Sequence, residues 1–267
     1  MGLWRGVEIR FLRISVRYVF CVMIVGCLWV YGHSLQNPLK LSIQSIDKQA
    51  KLVQLPAMDL KVGESGLVWH RFDSNYASVI AEVVVVKVDS GVAFAALQED
   101  GVLEQRYLPS PTNAPDVGDE VYFRTLNNRA FIIAPTLESY EQVRSAYQSI
   151  EFLNSDLMVG YLFDMGSFDP KPAFLNKVCR IYNVGLLFVI ATQSLNVLDC
   201  QSLVVLEKHA FSTSDLESGS TIAPFFSRVQ YASSGSLDTA LLKKHSKQYF
   251  RYYDALVAQG KAFRQSQ

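Results

Sequence analysis

The residues in this chain that could do chemistry are few and thinly spread. Gly63-Glu64-Ser65-Gly66 sets a carboxylate and a hydroxyl between two glycines, and His70 and Asp73 follow in the same segment. A Ser65/His70/Asp73 triad can be drawn, but nucleophilic catalysis needs the three to meet at hydrogen-bond distance, and residues so close together on one extended segment rarely converge. The segment is not a nucleophile elbow either, because it lacks the second flanking position and sits between strands. Gly63 and Gly66 predict a bulge or tight turn, since glycine accepts positive φ or a close backbone approach. His33, His70, His209 and His245 are too scattered for a metal site, and there is no HExxH, CxxC or P-loop pattern. Asp156, Asp164, Asp169 and Asp199 could gather as a carboxylate cluster for a metal or for acid–base work; the plainer reading is that they are turn and cap residues. Lys243, Lys244 and Lys247 make a short basic face, read either as solvated or as docking to an acidic partner or membrane. These spacings call for no catalytic centre, metal or cofactor. The expected role is binding, with a pocket of convergent carboxylates as the feature that would revive an enzyme.

The elements that must position these residues centre on 61–97. Val79–Val88 (VIAEVVVVKV) is a near-continuous run of β-branched residues, which fit a pleated surface better than a helix. It predicts a strand buried on most of both faces. Asp89-Ser90-Gly91 turns it into Val92–Leu97, and Leu67–Phe72 is a strand upstream, with His70 beside Trp69. Leu39–Ile46 alternates apolar and polar residues and, across Asp47-Lys48-Gln49, predicts an opening hairpin with Ala50–Leu55. Gly101–Leu108 is a further possible strand, and the proline-rich run Leu108–Pro115 is a loop. Glu120–Thr125 and Arg129–Ala134 are joined by Asn127-Asn128, which tolerates a left-handed turn. Residues 35–135 thus read as an antiparallel β meander, a small barrel or sandwich.

After Pro135 the period changes. Thr136 is placed to cap a helix running to about Ile150, with Tyr140, Val143, Tyr147 and Ile150 on one stripe. Asp156–Phe163 reads as a strand. Ala173–Tyr182 reads as a helix with Phe174, Val178 and Ile181 on one face, and Gly185–Ala191 as a buried strand. Leu195–Leu198 and Ser202–Leu206 are shorter strands, and His209 falls in a loop. Residues 136–210 form a compact α/β unit. Residues 211–267 hold a Ser-rich polar loop, Ser212–Ser220, and a helix over Asp238–Phe263 with an apolar stripe of Leu241, Leu242, Tyr249, Tyr252, Tyr253, Leu256 and Phe263. The fold class is α+β.

The 267 residues, 49% hydrophobic and 12% aromatic, suffice for a proper core, and a formal charge of zero gives no reason to expect nucleic acid as a partner. Arg5, Arg10, Arg13 and Arg17 precede the apolar run Tyr18–Tyr31. Its length is marginal for a span of about 20 residues and suits a secretory signal in residues 1–34, cleaved before Leu35. Lipidation at Cys27, within Ile24-Val25-Gly26-Cys27, and a retained anchor are the alternatives. Export to the periplasm or cell surface follows from each. Cys179 and Cys200 remain beyond the signal. They are either a disulfide, worth about 3 kcal/mol for a loop of this size, or two buried thiols.

Four segments carry a resemblance: VGESGLVWHRFD at Val62–Asp73, the LPSP loop with VGDEV at Val117–Val121, NRAFIIAPTLESY at Asn128–Tyr140, and FLNKVCRIYNVGLLF at Phe174–Phe188. Together they resemble the N-terminal domain of the plasminogen-binding protein A family of Helicobacter and related campylobacterial bacteria, over roughly residues 39–206. The resemblance implies an exported bacterial envelope protein that binds host plasminogen through lysines. Plasminogen's kringle modules take lysine as a paired ammonium and carboxylate, above all at a chain terminus, and family members with the activity are similar in having a long charged tail ending in lysine. This sequence ends at Ser266-Gln267, so internal lysines, Lys243, Lys244, Lys247 or Lys261, would have to serve. The motif residues Gly63, Glu64, Ser65, Gly66 and His70 are then structural. The alternative is a periplasmic scaffold or interaction domain of an envelope complex without plasminogen binding.

Overall fold

The structure, a computed structural model, describes residues 34–98, 113–164, 170–213, 224–229 and 249–265. The chain separates into Met1–Asn37 and Pro38–Gln267, and both sheets belong to the second unit.

The first sheet holds seven antiparallel strands: β1 (Leu39–Ser42), β2 (Ser45–Asp47), β3 (Leu52–Pro56), β4 (Ser65–Arg71), β5 (Ala77–Asp89), β6 (Val92–Gln98) and β7 (Glu120–Phe123). Their order is β1-β7-β4-β5-β6-β3-β2, so β4-β5-β6 is the expected meander. The two edge strands are joined by Ile43 and Gln44 alone. Ile43 donates its N–H to the Asp119 carbonyl beside β7, and Gln44 donates to Gln54 of β3. Opposite edges held two residues apart force the sheet to curl into a half-barrel. Burial alternates along β3, β6 and β7, and the inward side chains, among them Ile43, Leu55, Val68, Val85 and Phe123, fill the interior.

Two expectations change here. The opening hairpin is halved: β2 pairs with β3 across a turn in which Asp47 Oδ1 accepts from the N–H groups of Gln49 and Ala50, while β1 leaves to pair with β7. In β5 only Glu82–Val85 are buried in succession, because the ends of this long strand run past the barrel wall.

The second sheet is β8 (Arg129–Ile133), β9 (Glu151–Phe152), β10 (Leu186–Ala191), β11 (Ser194–Asp199) and β12 (Val205–Ala210), in the order β12-β11-β10-β8-β9. β8 runs parallel to β9 and β10, and the remaining pairs are antiparallel. The sequence placed β8 beside β7 as a returning strand. Four of its five residues are buried, and a strand apolar on both sides needs cover on both faces, which the second sheet supplies. His209, expected in a loop, is on β12.

Among the described residues four helices attend this sheet: α1 (Leu137–Ala146), α2 (Asp156–Asp164), α3 (Pro172–Tyr182) and α4 (Tyr249–Gln265). Thr136 caps α1, its side chain accepting from Ser139 N–H and the Ser139 hydroxyl returning the contact. The helix stops at Ala146, short of the expected Ile150, yet Tyr147 packs on Phe188 and Ile150 is buried. α2 corrects a predicted strand. Met158, Val159 and Leu162 are its buried residues, a helical spacing that so short an apolar run left ambiguous. On α3, Phe174, Leu175, Val178 and Cys179 face the core, whereas Ile181 points to solvent. Cys179 and Cys200 are bonded, with Cα atoms 5.8 Å apart, tying α3 to the turn after β11. Tyr249, Tyr253 and Leu256 of α4 join the same core, and the Tyr249 hydroxyl donates to the Ile133 and Ile190 carbonyls.

Among the described residues no helix is long and apolar enough to cross a membrane. The signal segment with Cys27, the Gly101–Leu108 strand, most of the proline-rich and Ser-rich loops, the first half of the last helix with Leu241 and Leu242, and the Phe263 side chain lie outside the described residues.

Candidate functional site

The Gly63–Gly66 motif lies where the half-barrel meets the mixed sheet. Gly63 has φ +98°, and a Cβ there would stand 2.3 Å from Val204 Cγ1 at the entry to β12. It therefore needs glycine for conformation and for space. Its N–H donates to Val85, and its carbonyl accepts the Ser202 hydroxyl at 2.7 Å. Gly66 faces inward; a Cβ there would meet Phe123 and Val121 at 2.8–2.9 Å.

Between the glycines, two polar residues reach in different directions. The Ser65 N–H and hydroxyl both donate to Asp199 Oδ2, at 2.9 and 2.8 Å. Asp199 Oδ1 accepts from the N–H groups of Gln201 and Ser202. One buried carboxylate at the end of β11 thus binds the start of β4 and shapes the 200–202 turn. Glu64 is buried against Arg124, whose Nη2 donates to both carboxylate oxygens at 3.1 Å. Arg124 Nη1 donates to Asp59 Oδ2 at 2.8 Å. Lys61 pairs with Glu207 of β12 at 2.8 Å across the same joint.

A third carboxylate completes the group. Glu82, on β5, is 2% exposed at its side chain, and its Oε2 stands 3.8 Å from Arg180 Nη2 of α3 without a hydrogen bond. Arg180 Nε donates to Gln201 Oε1 at 3.4 Å. Ser65, Glu82, Arg124, Asn127 and Gln201 are among the residues lining a cavity of about 20 Å³. Burial pushes the Glu82 carboxyl up to about 7, against the pull of Arg180. Burial also pushes Glu64 upward against Arg124, and Asp199 upward against the N–H donors of Ser202, Ser65 and Gln201.

The structure separates the residues of the drawn triad. Ser65 serves Asp199, His70 Nδ1 lies 2.8 Å from Asp119 Oδ1, and Asp73 Oδ1 caps the N–H groups of Asn75 and Tyr76. The four expected aspartates are not one cluster. Asp156 accepts from the Ser227 hydroxyl and from Arg228, and these contacts hold it below the usual range despite burial. Asp164 ends α2, Asp199 sits at the joint, and Asp169 lies outside the described residues. No group of three or more His, Cys, Asp or Glu among the described residues is arranged to hold a metal. Lys243, Lys244 and Lys247 lie outside the described residues, as does the side chain of Lys261 on α4. Glu82 and Arg124 escaped the sequence reading. The signal for Glu82 was its being the lone acid inside an apolar run.

Two surface features stand apart from the joint. The β4–β5 hairpin presents Trp69, Phe72 and Tyr76 to solvent, with His70 packed edge-on against Phe72 and Trp69 against Tyr122. A groove of about 180 Å³ beside α1 is lined by Leu137, Tyr140, Phe152 and Phe226 with Arg144 and Arg228. Chemically, the joint fastens two sheets with charge-assisted hydrogen bonds, and the hairpin offers aromatic contact area.

The family model described as "Plasminogen-binding protein pgbA N-terminal" matches residues 38–257. The chain belongs to this family. It is similar to the plasminogen-binding protein PgbA of two Helicobacter pylori strains, each 42% identical over 246 residues, covering 92% of this chain and 53% of the relative. The chain spans about half the length of those curated relatives. Every motif at the joint falls within the matched residues.

Proposed function

We propose that this family member is an exported envelope protein that binds plasminogen through lysine side chains, at the periplasm or cell surface. The observation that carries the reading is 42% identity across 92% of the chain to relatives named for plasminogen binding. Lys243, Lys244, Lys247 and Lys261 are the contact lysines we put forward. A kringle that takes an ammonium together with a carboxylate suits a lysine with an acidic neighbour, and on the described surface Lys40 with Glu120 and Lys87 with Asp89 make such pairs. The role is binding rather than catalysis. Plasminogen binding by purified residues 35–267, with and without a lysine analogue, tests this. Saturable binding abolished by the analogue supports it, and substitution of the four lysines then locates the contact.

A second reading has its own support. The matching model is that of an N-terminal portion, and the relatives run to about twice the matched length, so the shared region is suited to act as a scaffold in an envelope complex. The exposed Trp69, Phe72 and Tyr76 are the contact area such a role would use. A folded chain that fails to bind plasminogen would favour this reading, and crosslinking through the hairpin in the envelope would test it.

A further inference from the structure

We infer that Glu82 is a proton-binding site that locks the two sheets together: the folded protein holds it as the neutral acid in mildly acidic solution, and its ionisation at higher pH loosens the joint. Geometry carries this. Three buried carboxylates, Glu64, Glu82 and Asp199, meet two guanidiniums, Arg124 and Arg180. Asp199 receives four N–H and O–H donors, and Glu64 receives Arg124 on both oxygens, so fixed donors work against the upward push of burial on each. Glu82 has no such arrangement. Among the described residues its Oε2 accepts no hydrogen bond, its nearest cation stands 3.8 Å away and is itself 30% exposed, and the neighbouring Asp199 carboxyl pushes it further toward the neutral acid. The charged groups facing it are Arg180 from α3, Asp199 from the end of β11, and Arg124 across the shared cavity, with Glu64 behind Arg124. A buried carboxyl oxygen without a donor, beside a second carboxyl group, favours the protonated form. The cavity it lines lies between the sheets, so an anion there draws Arg180 or solvent into the joint.

The direction of the pH effect follows. Glu82 moves from an ordinary 4.5 to about 7 on folding. Between those values the folded state binds one proton more than the unfolded state, so stability falls as pH rises through that window. For one proton the unfolding equilibrium constant rises about tenfold per pH unit. Glu64 shifts in the same direction, so the test must isolate Glu82.

Urea unfolding of the full chain and of Glu82→Gln between pH 5 and pH 8 does this. The variant keeps the shape and removes the titration, so its unfolding constant should depend on pH by one proton less than wild type. Across two pH units the gap should reach about a hundredfold, with the variant the more stable at pH 8. An unchanged pH slope would overturn the inference. A direct readout covers the case in which the variant does not fold: carboxyl-carbon NMR of glutamate-labelled wild type, with Arg180→Gln beside it. A buried glutamate still neutral at pH 6, titrating higher in Arg180→Gln, supports the site. Full ionisation of every glutamate at pH 6 sinks it.

Discussion

All six residues of β10 and all six of β11 are buried, whereas burial alternates along β3 and β7. The central strands of the mixed sheet are covered on both faces, and the half-barrel on its inner face except at β5, where Glu82 and Val84 are buried as well. The joint between them adds polar links to close packing: Ser65 donates to Asp199, Ser202 to the Gly63 carbonyl and Lys61 to Glu207, beside the close approach of Gly63 to Val204 and the buried Glu64–Arg124 pair. The difference teaches that apolar burial makes each sheet, while charge and exact backbone fit make their union. Hydrophobic layers tolerate substitutions that keep volume. A buried ion pair that loses one partner does not.

The comparison breaks most sharply at Arg124. Arg124→Ala leaves Glu64 buried without its cation, and urea unfolding should show a loss of about 3–5 kcal/mol at pH 8. The loss should shrink at pH 5, where Glu64, already pushed upward by burial, takes a proton instead. Gly63→Ala should cost about 3–4 kcal/mol, because it adds backbone strain to a clash with Val204. Gly91→Ala is its control. It also has positive φ, but open space around it, so about 1 kcal/mol is expected and the remainder measures the close approach at the joint. Within the mixed sheet, replacing Cys179 and Cys200 together by Ser should lower stability by about 3 kcal/mol, seen as a fall in Tm that reductant reproduces in wild type. Smallest of all, Phe72→Ser on the exposed hairpin should stay within about 0.5 kcal/mol in the same assay. A larger loss would mean that the aromatic cluster supports the barrel and is not simply a free contact surface.

Much of the fold was legible because the signals were local. β-Branched runs with Asp-Ser-Gly and Asp-Lys-Gln turns predicted β2 through β6, and Thr136 predicted the start of α1. The failures have a common cause. Leu39–Ile46 divides between two partners, β8 changes sheet, and Asp156–Phe163 coils instead of extending. In each the chain's local pattern suits either outcome, and the partner across space decides. The motif Gly63–Gly66 was visible as unusual, but its purpose was not. Val204 and Asp199, which explain Gly63 and Ser65, lie more than a hundred residues away along the chain.

The sequence by itself determined the two halves of different period, the glycine motif, the cysteine pair as a candidate bond and the family to which the chain belongs, because periodicity, turn chemistry and motif identity are properties of neighbouring residues. Only the tertiary structure decided which strands share a sheet, that the half-barrel closes through Ile43 and Gln44, and that Glu64, Glu82 and Asp199 meet at one joint. A buried charge is stable only through partners that fixed geometry brings to it, and that geometry exists only once both sheets have formed.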